Sequence, residues 1–329
     1  MKAAIGETVD KETLGGAETQ TALSGVCDYK MKDDKECLDT IKDLVSKIGK
    51  FEQAGFDRIK AKKPKANEKD IYGIFSSTKP YDVKEIIKRM VDHSEYTEFK
   101  EDYGQTIVCA YARIDGWSVG IVANQRSVVK SAKGEVQIGG VIYSDSADKA
   151  ARFIMLCNQK KIPLVFLQDV TGFMVGSRSE NGGIIKDGAK LVNAVSNSTV
   201  PKFTIVIGNS YGAGNYAMCG KAYDPRFMLA WPSAKIAVMG GEQASKVILQ
   251  IQESAIKAKG TELTEVEKNK ILKEIKDKYD KTTSAYYAAA RLWVDAIIDP
   301  LETRKWISQG IEAANNAPIE KFNVGVLQV

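Results

Sequence analysis

Two short apolar runs place the strongest constraint on how this chain can fold. Residues 162–167 read Ile-Pro-Leu-Val-Phe-Leu, and residues 202–207 read Lys-Phe-Thr-Ile-Val-Ile. Such runs are typical of strands buried on both faces, as in parallel sheets that helices cover on both sides. Each run precedes a glycine-containing turn and a helical pattern, over 183–195 in one case and reaching Cys219 in the other. The sequence therefore predicts an α/β fold.

The rest of the chain supplies further elements of both kinds. Residues 107–114 and 117–124 are β-rich runs joined at Asp115-Gly116, a dipeptide typical of hairpin turns. Other predicted strands are 227–231 and 235–239, and other predicted helices are 38–48, 83–91, 147–159, one that opens at Gly240-Gly241, one that begins at a capping box at Thr264, and 284–298.

Composition excludes several classes of protein. The 329 residues are 44% hydrophobic and 27% charged, which argues against a disordered or fibrous chain. No run approaches the roughly 20 apolar residues of a membrane span, and the first residues lack a signal-peptide core, so we expect a cytoplasmic protein, or a mitochondrial-matrix one if eukaryotic. Lys and Glu are interleaved and the net charge is only +5. We expect no nucleic-acid or membrane partner, and we interpret the Lys-rich stretch 60–65 as an exposed linker.

The counts of histidine and cysteine limit the chemistry. His93 is the only histidine in the chain, and the five cysteines form no CxxC pair. The sequence therefore predicts no metal site and no disulfide framework.

Three turns after predicted strands carry the candidate site: 169–176, 208–215 and 239–244. Small residues there let backbone N–H groups approach a ligand oxygen, and the following helix adds the positive end of its dipole. Two such amides aimed at one point form an oxyanion hole.

The second turn also fits a different enzyme class. Residues 208–212 read G-x-S-x-G, the nucleophile elbow of α/β-hydrolases, but no histidine follows Ser210. The order His93, Asp169, Ser210 belongs to serine hydrolases built on β-barrels, which this pattern does not predict. Asp169 and Glu242 are the remaining candidate bases, and lone carboxylates at such turns are more often helix caps. The residues favour chemistry in which the protein supplies backbone donors and the ligand supplies the base.

The sequences of these turns resemble those of a known family, the β subunits of biotin-dependent acyl-CoA carboxylases. Within that family they resemble the methylcrotonyl-CoA and geranyl-CoA branch. The resemblance covers about residues 70–310. Its motifs are the stretches 103–106, 110–116, 119–124, 167–176 (Leu-Gln-Asp-Val-Thr-Gly-Phe-Met-Val-Gly), 187–190, 210–216 (Ser-Tyr-Gly-Ala-Gly-Asn-Tyr), 218–220, 230–232, 238–244, 297–300 and 303–304.

The resemblance implies an α/β crotonase-like fold, a (ββα)n superhelix with flanking helices. It implies that 1–59 is the tail of an amino-terminal domain, 60–90 a linker and short helix, and 91–329 the carboxy-terminal carboxyltransferase domain. The glycine-rich oxyanion turn of the amino-terminal domain is absent from this sequence. We therefore expect either a truncated chain or a natural split subunit, with acyl-CoA carboxylation only in the presence of that domain and a biotin carrier.

The resemblance also implies roles for individual residues. The amides of Phe173, Gly212 and Ala213 would hold the ureido oxygen of biotin, which gains negative charge as CO2 leaves. The residues that shape the biotin pocket would be Gly172, Tyr211, Gly214, Gly240 and Gly241. The cofactor would be biotin carried on a partner, the substrate an acyl-CoA, and the partners a biotin carboxylase or biotin carrier subunit, an amino-terminal carboxyltransferase domain and further copies of the chain.

Two other classes remain open at this point. One is another crotonase-like acyl-CoA enzyme, such as a hydratase or a biotin-dependent decarboxylase subunit. The other is a non-catalytic assembly module. Neither the acyl chain of the substrate nor the number of subunits follows from the sequence.

Overall fold

The computed structural model describes residues 5–76, 78–131, 134–258 and 261–323. Its internal contacts divide the chain into two units, Met1–Phe51 and Glu52–Val329. The first unit contains helices α1 (Lys11–Gly15) and α2 (Asp34–Ser46). Helix α2 begins where the Asp33 carboxylate accepts a 2.8 Å hydrogen bond from the Glu36 N–H, which is a regular N-cap. This helix accounts for the one predicted over 38–48.

The second unit contains the remaining helices and strands. Its strands are β1 (Tyr96–Glu98), β2 (Ile107–Ile114), β3 (Trp117–Asn124), β4 (Val129–Lys130), β5 (Val136–Gln137), β6 (Val141–Ile142), β7 (Leu164–Val170), β8 (Gly172–Phe173), β9 (Lys202–Tyr211), β10 (Phe227–Ala230), β11 (Lys235–Ala237) and β12 (Ala296–Ile297). Its helices are α3 (Ile71–Ile74), α4 (Val83–Met90), α5 (Ser144–Gln159), α6 (Ser177–Asn181), α7 (Ile184–Ser196), α8 (Gly212–Ala217), α9 (Gly241–Lys257), α10 (Glu265–Thr282), α11 (Ala285–Ala289) and α12 (Thr303–Ala314).

One mixed sheet organises the second unit. Its strand order is β1-β2-β3-β7-β9-β10-β12, and β11 also pairs with β9. The first three strands are antiparallel and the others run parallel from β3 onward. Strand β7 is buried along its whole length. Its side chains alternate between two apolar clusters, one that includes α4 and α12 and one that includes α5 and α7. Helices on both faces therefore explain the absence of polar alternation in the two apolar runs.

The Asp115-Gly116 hairpin is confirmed, because Ile114 and Trp117 are paired across the turn between β2 and β3. The helix predicted over 284–298 is wrong beyond Ala289. The chain turns there, with Leu292 at φ 58°, and then forms β12 beside β10. The Asp295 carboxylate stabilises this turn by accepting a 2.7 Å hydrogen bond from the Met228 N–H.

The linker predicted over 60–90 is part of the second unit, and its residues Ile71 and Tyr81 are buried. Just before it, in the predicted tail, Arg58 forms an isolated bridge with Trp117. In the Lys-rich stretch, the Lys62 N–H donates to the buried carboxylate of Asp92 at 3.1 Å. Which residues belong to which evolutionary domain stays a prediction.

No helix among the described residues combines the length and the apolar character that a bilayer crossing requires.

Candidate active site

Helix α8 carries the first set of candidate donors. It begins directly after β9, and Gly212 opens it with φ +51°. A Cβ at this position would lie 2.8 Å from the carbonyl oxygen of Val238, the residue after β11, so this close approach and the positive φ both require glycine. The first N–H groups of a helix have no partner within the helix, which leaves those of Gly212, Ala213 and Gly214 as donors.

Phe173 carries the second candidate donor. It lies in β8, which pairs in parallel with β6. The Met174 N–H donates to the Ile142 carbonyl at 2.9 Å. Because successive N–H groups of a strand point in opposite directions, the Phe173 N–H points away from β6. The Phe173 ring packs against α7 so closely that a Cβ at Gly188 would lie 2.9 Å from it.

These two turns lie next to each other. A Cβ at Gly214 would lie 2.6 Å from Val170 Cγ2 and 3.2 Å from the Gly172 Cα. The first turn of α8 therefore contacts the backbone that leads into Phe173. The structure brings together Gly172, Phe173 and the start of α8, which were predicted from separate stretches of sequence.

The third turn borders the same region. Gly240 lies against the Tyr211 ring, where an added Cβ would be 3.5 Å from Cε2, and Gly241 lies against Tyr279 of α10. A cavity of about 560 Å³ opens between β11, α8 and α10. Gly212, Val238 and Tyr279 are among its lining residues. Of the predicted site residues, Gly212 alone lines this cavity, and the others lie outside its wall.

Ser210 has a structural environment that argues against a hydrolase. Its side chain is fully buried, donates a 2.6 Å hydrogen bond to Gln168 Oε1 and accepts a 2.7 Å hydrogen bond from Asn215 Nδ2. Gln168 Nε2 in turn donates to the Met218 carbonyl at 2.6 Å. The hydroxyl therefore ties the end of β7 to α8, and its donor and one acceptor site are taken by Gln168 and Asn215.

His93 lies at the opposite end of the sheet from Ser210. The neighbouring carboxylate of Asp92 accepts hydrogen bonds from the Asp115 and Gly116 N–H groups, at the turn that precedes β3. The strand register places that turn roughly 30 Å from Ser210 at about 3.3 Å per strand residue. The catalytic dyad of a serine hydrolase is therefore excluded.

Asp169 is buried directly beneath the two turns. Its carboxylate accepts hydrogen bonds from the Tyr81 hydroxyl at 2.8 Å and from the Asn209 N–H at 2.8 Å, and it lies 3.1 Å from Arg126 Nε. Burial raises the pKa of this carboxyl, and the Arg126 charge acts in the opposite direction. With its oxygens occupied by protein donors, Asp169 is not placed to take a proton from a substrate.

Glu242, the other candidate base, lies at the surface of α9. Lys246 Nζ donates a 2.8 Å hydrogen bond to its carboxylate, and this bond lowers the pKa of the group. An exposed, ion-paired carboxylate is poorly suited to general-base catalysis. Within the described ranges, no group of three or more His, Cys, Asp and Glu side chains could hold a metal ion.

Tyr81, Arg126 and the role of Gln168 were not predicted from the sequence. A usable signal was present for Gln168, because it stands with Asp169 at the end of an otherwise apolar buried strand. Buried polar side chains are hydrogen-bonded, so this pair indicates an internal network. Tyr81 and Arg126 come from distant stretches, and nothing in their spacing points to Asp169.

Comparison with known proteins identifies the family. The sequence profile of the carboxyl transferase domain matches residues 1–324. The chain belongs to the carboxyl transferase family.

Two relatives of this chain are both named as beta subunits of methylcrotonyl-CoA carboxylases. The chain is 44% identical over 97% of its length to the mitochondrial methylcrotonoyl-CoA carboxylase beta chain of Dictyostelium discoideum, and it covers 52% of that protein. It is 43% identical over its whole length to the biotin-dependent 3-methylcrotonyl-coenzyme A carboxylase beta1 subunit of Mycobacterium tuberculosis, covering 60% of it. The chain thus spans about half to three-fifths of the length of these relatives.

A solved structure supports the fold. The beta subunit of geranyl-CoA carboxylase from P. aeruginosa superposes with a TM-score of 0.81 at 35% identity, covering 98% of this chain and 59% of that one. The predicted crotonase-like α/β fold is confirmed.

Proposed function

We propose that this chain supplies the biotin side of a carboxyltransferase, which moves the carboxyl group of carboxybiotin to an acyl-CoA such as 3-methylcrotonyl-CoA. Identity of 43–44% to proteins named for 3-methylcrotonyl-CoA supports the choice of acyl group. The motif sequences around Phe173 and Tyr211 also resemble those of the methylcrotonyl-CoA branch of the family.

The observation that carries this proposal is the meeting of two amide-bearing turns. The Phe173 N–H points away from β6, and the start of α8 lies against Gly172. Donors from two such turns can stabilise one oxygen that gains negative charge, which is the arrangement of an oxyanion hole. Removing one such donor typically costs about 3–4 kcal/mol of transition-state stabilisation.

The ureido group of biotin fits these donors, because its oxygen is a hydrogen-bond acceptor and the backbone N–H groups are donors. When bound, biotin supplies the carboxyl group and a ring nitrogen able to take a proton. The amides of Phe173, Gly212 and Ala213 would hold the ureido oxygen, and Gly172, Tyr211, Gly214, Gly240 and Gly241 would shape the surrounding pocket. The chain's own part is to orient the group and to stabilise negative charge on that oxygen.

The environment of the other polar residues agrees with a reaction that needs no protein base. Asp169 is sequestered by Tyr81, Asn209 and Arg126, and Ser210 is buried with both its hydrogen bonds made to protein. These two polar side chains thus serve to hold the backbone, and the proton acceptor comes from the ligand.

The proposal implies partners. A biotin carboxylase or biotin carrier subunit would present the carboxylated cofactor, and an amino-terminal carboxyltransferase domain would supply most of the acyl-CoA site. We also propose self-association. A matrix location is proposed only for a eukaryotic source, because the Dictyostelium relative is named as mitochondrial.

The test is a reconstituted assay with this chain, an amino-terminal carboxyltransferase domain, a biotinylated carrier, biotin carboxylase, ATP and labelled bicarbonate. We expect labelled carboxyl in the carboxylated product of 3-methylcrotonyl-CoA, and less label in the carboxylated product of propionyl-CoA. Release of CO2 from a carboxylated acyl-CoA, without transfer to 3-methylcrotonyl-CoA, would instead support a decarboxylase subunit. Self-association with neither activity would support an assembly module.

A further inference from the structure

The pairing of β7 with β9 is interrupted beside Asp169. The register runs regularly to the pair Gln168 and Val206, and the next paired residues are Val170 and Ser210. Strand β9 therefore advances four residues while β7 advances two. Such a bulge leaves backbone groups without a ladder partner.

The Asp169 side chain fills this gap. Its Oδ1 accepts the Asn209 N–H at 2.8 Å and Asn209 Nδ2 at 3.0 Å, in place of a β7 carbonyl. The space beside it is so narrow that a Cβ at Gly208 would lie 2.6 Å from Oδ1. Beyond the bulge, residues 209–211 pair with β11 and lead into α8. The carboxylate therefore determines where the amides of α8 begin.

Arg126 connects the same carboxylate to the other turn. Its Nε lies 3.1 Å from Asp169 Oδ2, and its Nη1 donates to the Gly139 carbonyl at 3.3 Å. The next carbonyl, of Gly140, accepts the Thr171 N–H at 2.8 Å, directly before Gly172 and Phe173. Arg126 thus anchors the loop that holds the strand bearing Phe173.

We infer that the buried Asp169–Arg126 pair is a positioning device that fixes the two amide-bearing turns relative to each other. The carboxylate holds the bulge before α8, and the guanidinium holds the loop before β6. Asp169 is not placed to touch the ligand, since its side chain is 1% exposed and its oxygens face protein donors. Arg126 is 15% exposed, and its guanidinium faces Asp169 and the Gly139 carbonyl. The expected effect of this pair on catalysis rests on the proposed function, whereas its effect on the positions of the two turns does not.

The first test is Asp169→Asn, which keeps one oxygen for the Asn209 N–H but turns an NH2 group towards Arg126 and leaves that charge unpaired. Misplacement of a catalytic group by about 1 Å can cost about 100-fold in rate. We expect kcat for decarboxylation of free carboxybiotin to fall about 10- to 100-fold per folded molecule, with a smaller change in KM. Hydrogen exchange should rise in peptides that cover residues 206–217.

Asp92→Asn is a matched control. Asp92 is also buried, lies 2.6 Å from the Arg304 guanidinium and accepts backbone N–H groups of Asp115 and Gly116, but at the opposite end of the sheet. We expect it to lower stability comparably while leaving kcat per folded molecule within about twofold. In Asp92→Asn, the increase in hydrogen exchange should be located at the β2–β3 turn. A merely structural role for Asp169 would make the two variants alike in kcat.

Arg126→Lys serves if Asp169→Asn does not fold. It keeps the charge but loses the planar fork that spans Asp169 and Gly139. We therefore expect a smaller loss of kcat than in Asp169→Asn, and an increase in hydrogen exchange in the loop before β6. Wild-type kcat and unchanged exchange in the folded variants would overturn the inference. If the wild-type chain itself does not turn over carboxybiotin, the proposed function fails, and the exchange comparison alone decides whether the pair holds the turns.

Discussion

The Gly208 Cα faces the carboxylate of Asp169 so closely that no side chain fits between them, since an added Cβ would lie 2.6 Å from Oδ1. We expect Gly208→Ala to lower the free energy of unfolding by about 1–3 kcal/mol, because the buried ion pair must shift to accommodate the methyl group. Chemical denaturation measures this change.

Gly73→Ala is the control for that substitution. Gly73 lies in α3 with no atom within 4 Å of an added Cβ, so alanine there should be neutral or stabilise the protein by up to about 1 kcal/mol. Equal effects of the two changes would contradict the close packing of β9 on Asp169.

Ser210→Ala separates a structural hydroxyl from a nucleophile. The change leaves Gln168 Oε1 and Asn215 Nδ2 short of a partner in a buried site, so we expect a loss of about 1–3 kcal/mol in stability. Turnover of carboxybiotin per folded molecule should change only mildly. Ser254→Ala, on the exposed face of α9, should change stability by less than about 0.5 kcal/mol. An esterase activity that is lost in Ser210→Ala would contradict this expectation and support the hypothesis of a serine hydrolase.

The cysteines should divide into two reactive and three unreactive thiols. Cys27 and Cys37 are exposed. Burial raises the pKa of the Cys109 thiol to about 12 and that of Cys219 to about 11, and it raises the pKa of Cys157 as well. Because the thiolate is the reactive form, a rise from pH 7 to pH 9 should accelerate modification of the exposed pair alone.

Titration with a chromogenic disulfide checks this division. Two thiols should react quickly in the native protein, and five should react in denaturant. Rapid reaction of three or more native thiols would contradict the described packing around β2, α5 and α8.

The sequence predicted most of the second unit because its signals are local. The apolar runs, the Asp115-Gly116 turn and the glycines after β9 each act within a few residues. The helix expected over 284–298 fails because Asp295 binds the Met228 N–H, a contact between residues far apart in sequence. The network around Asp169 was missed for the same reason, since Tyr81, Arg126 and Asn209 meet only in the folded chain. The three turns of the candidate site followed from the small residues after predicted strands, whereas the roles of individual residues came from motif resemblance and stay predictions.

The most direct test of the central claim compares two proline substitutions at the second residue of a helix. Proline at Ala213 removes one proposed amide donor from α8, and Val266→Pro makes the same change at the exposed start of α10. The first turn of a helix tolerates proline, so both variants should fold.

The measurement is the rate at which free carboxybiotin loses CO2 in the presence of each protein. We expect the wild type and Val266→Pro to accelerate the reaction equally and Ala213→Pro to abolish the acceleration. Equal rates with Ala213→Pro and Val266→Pro, in folded proteins, would contradict this expectation.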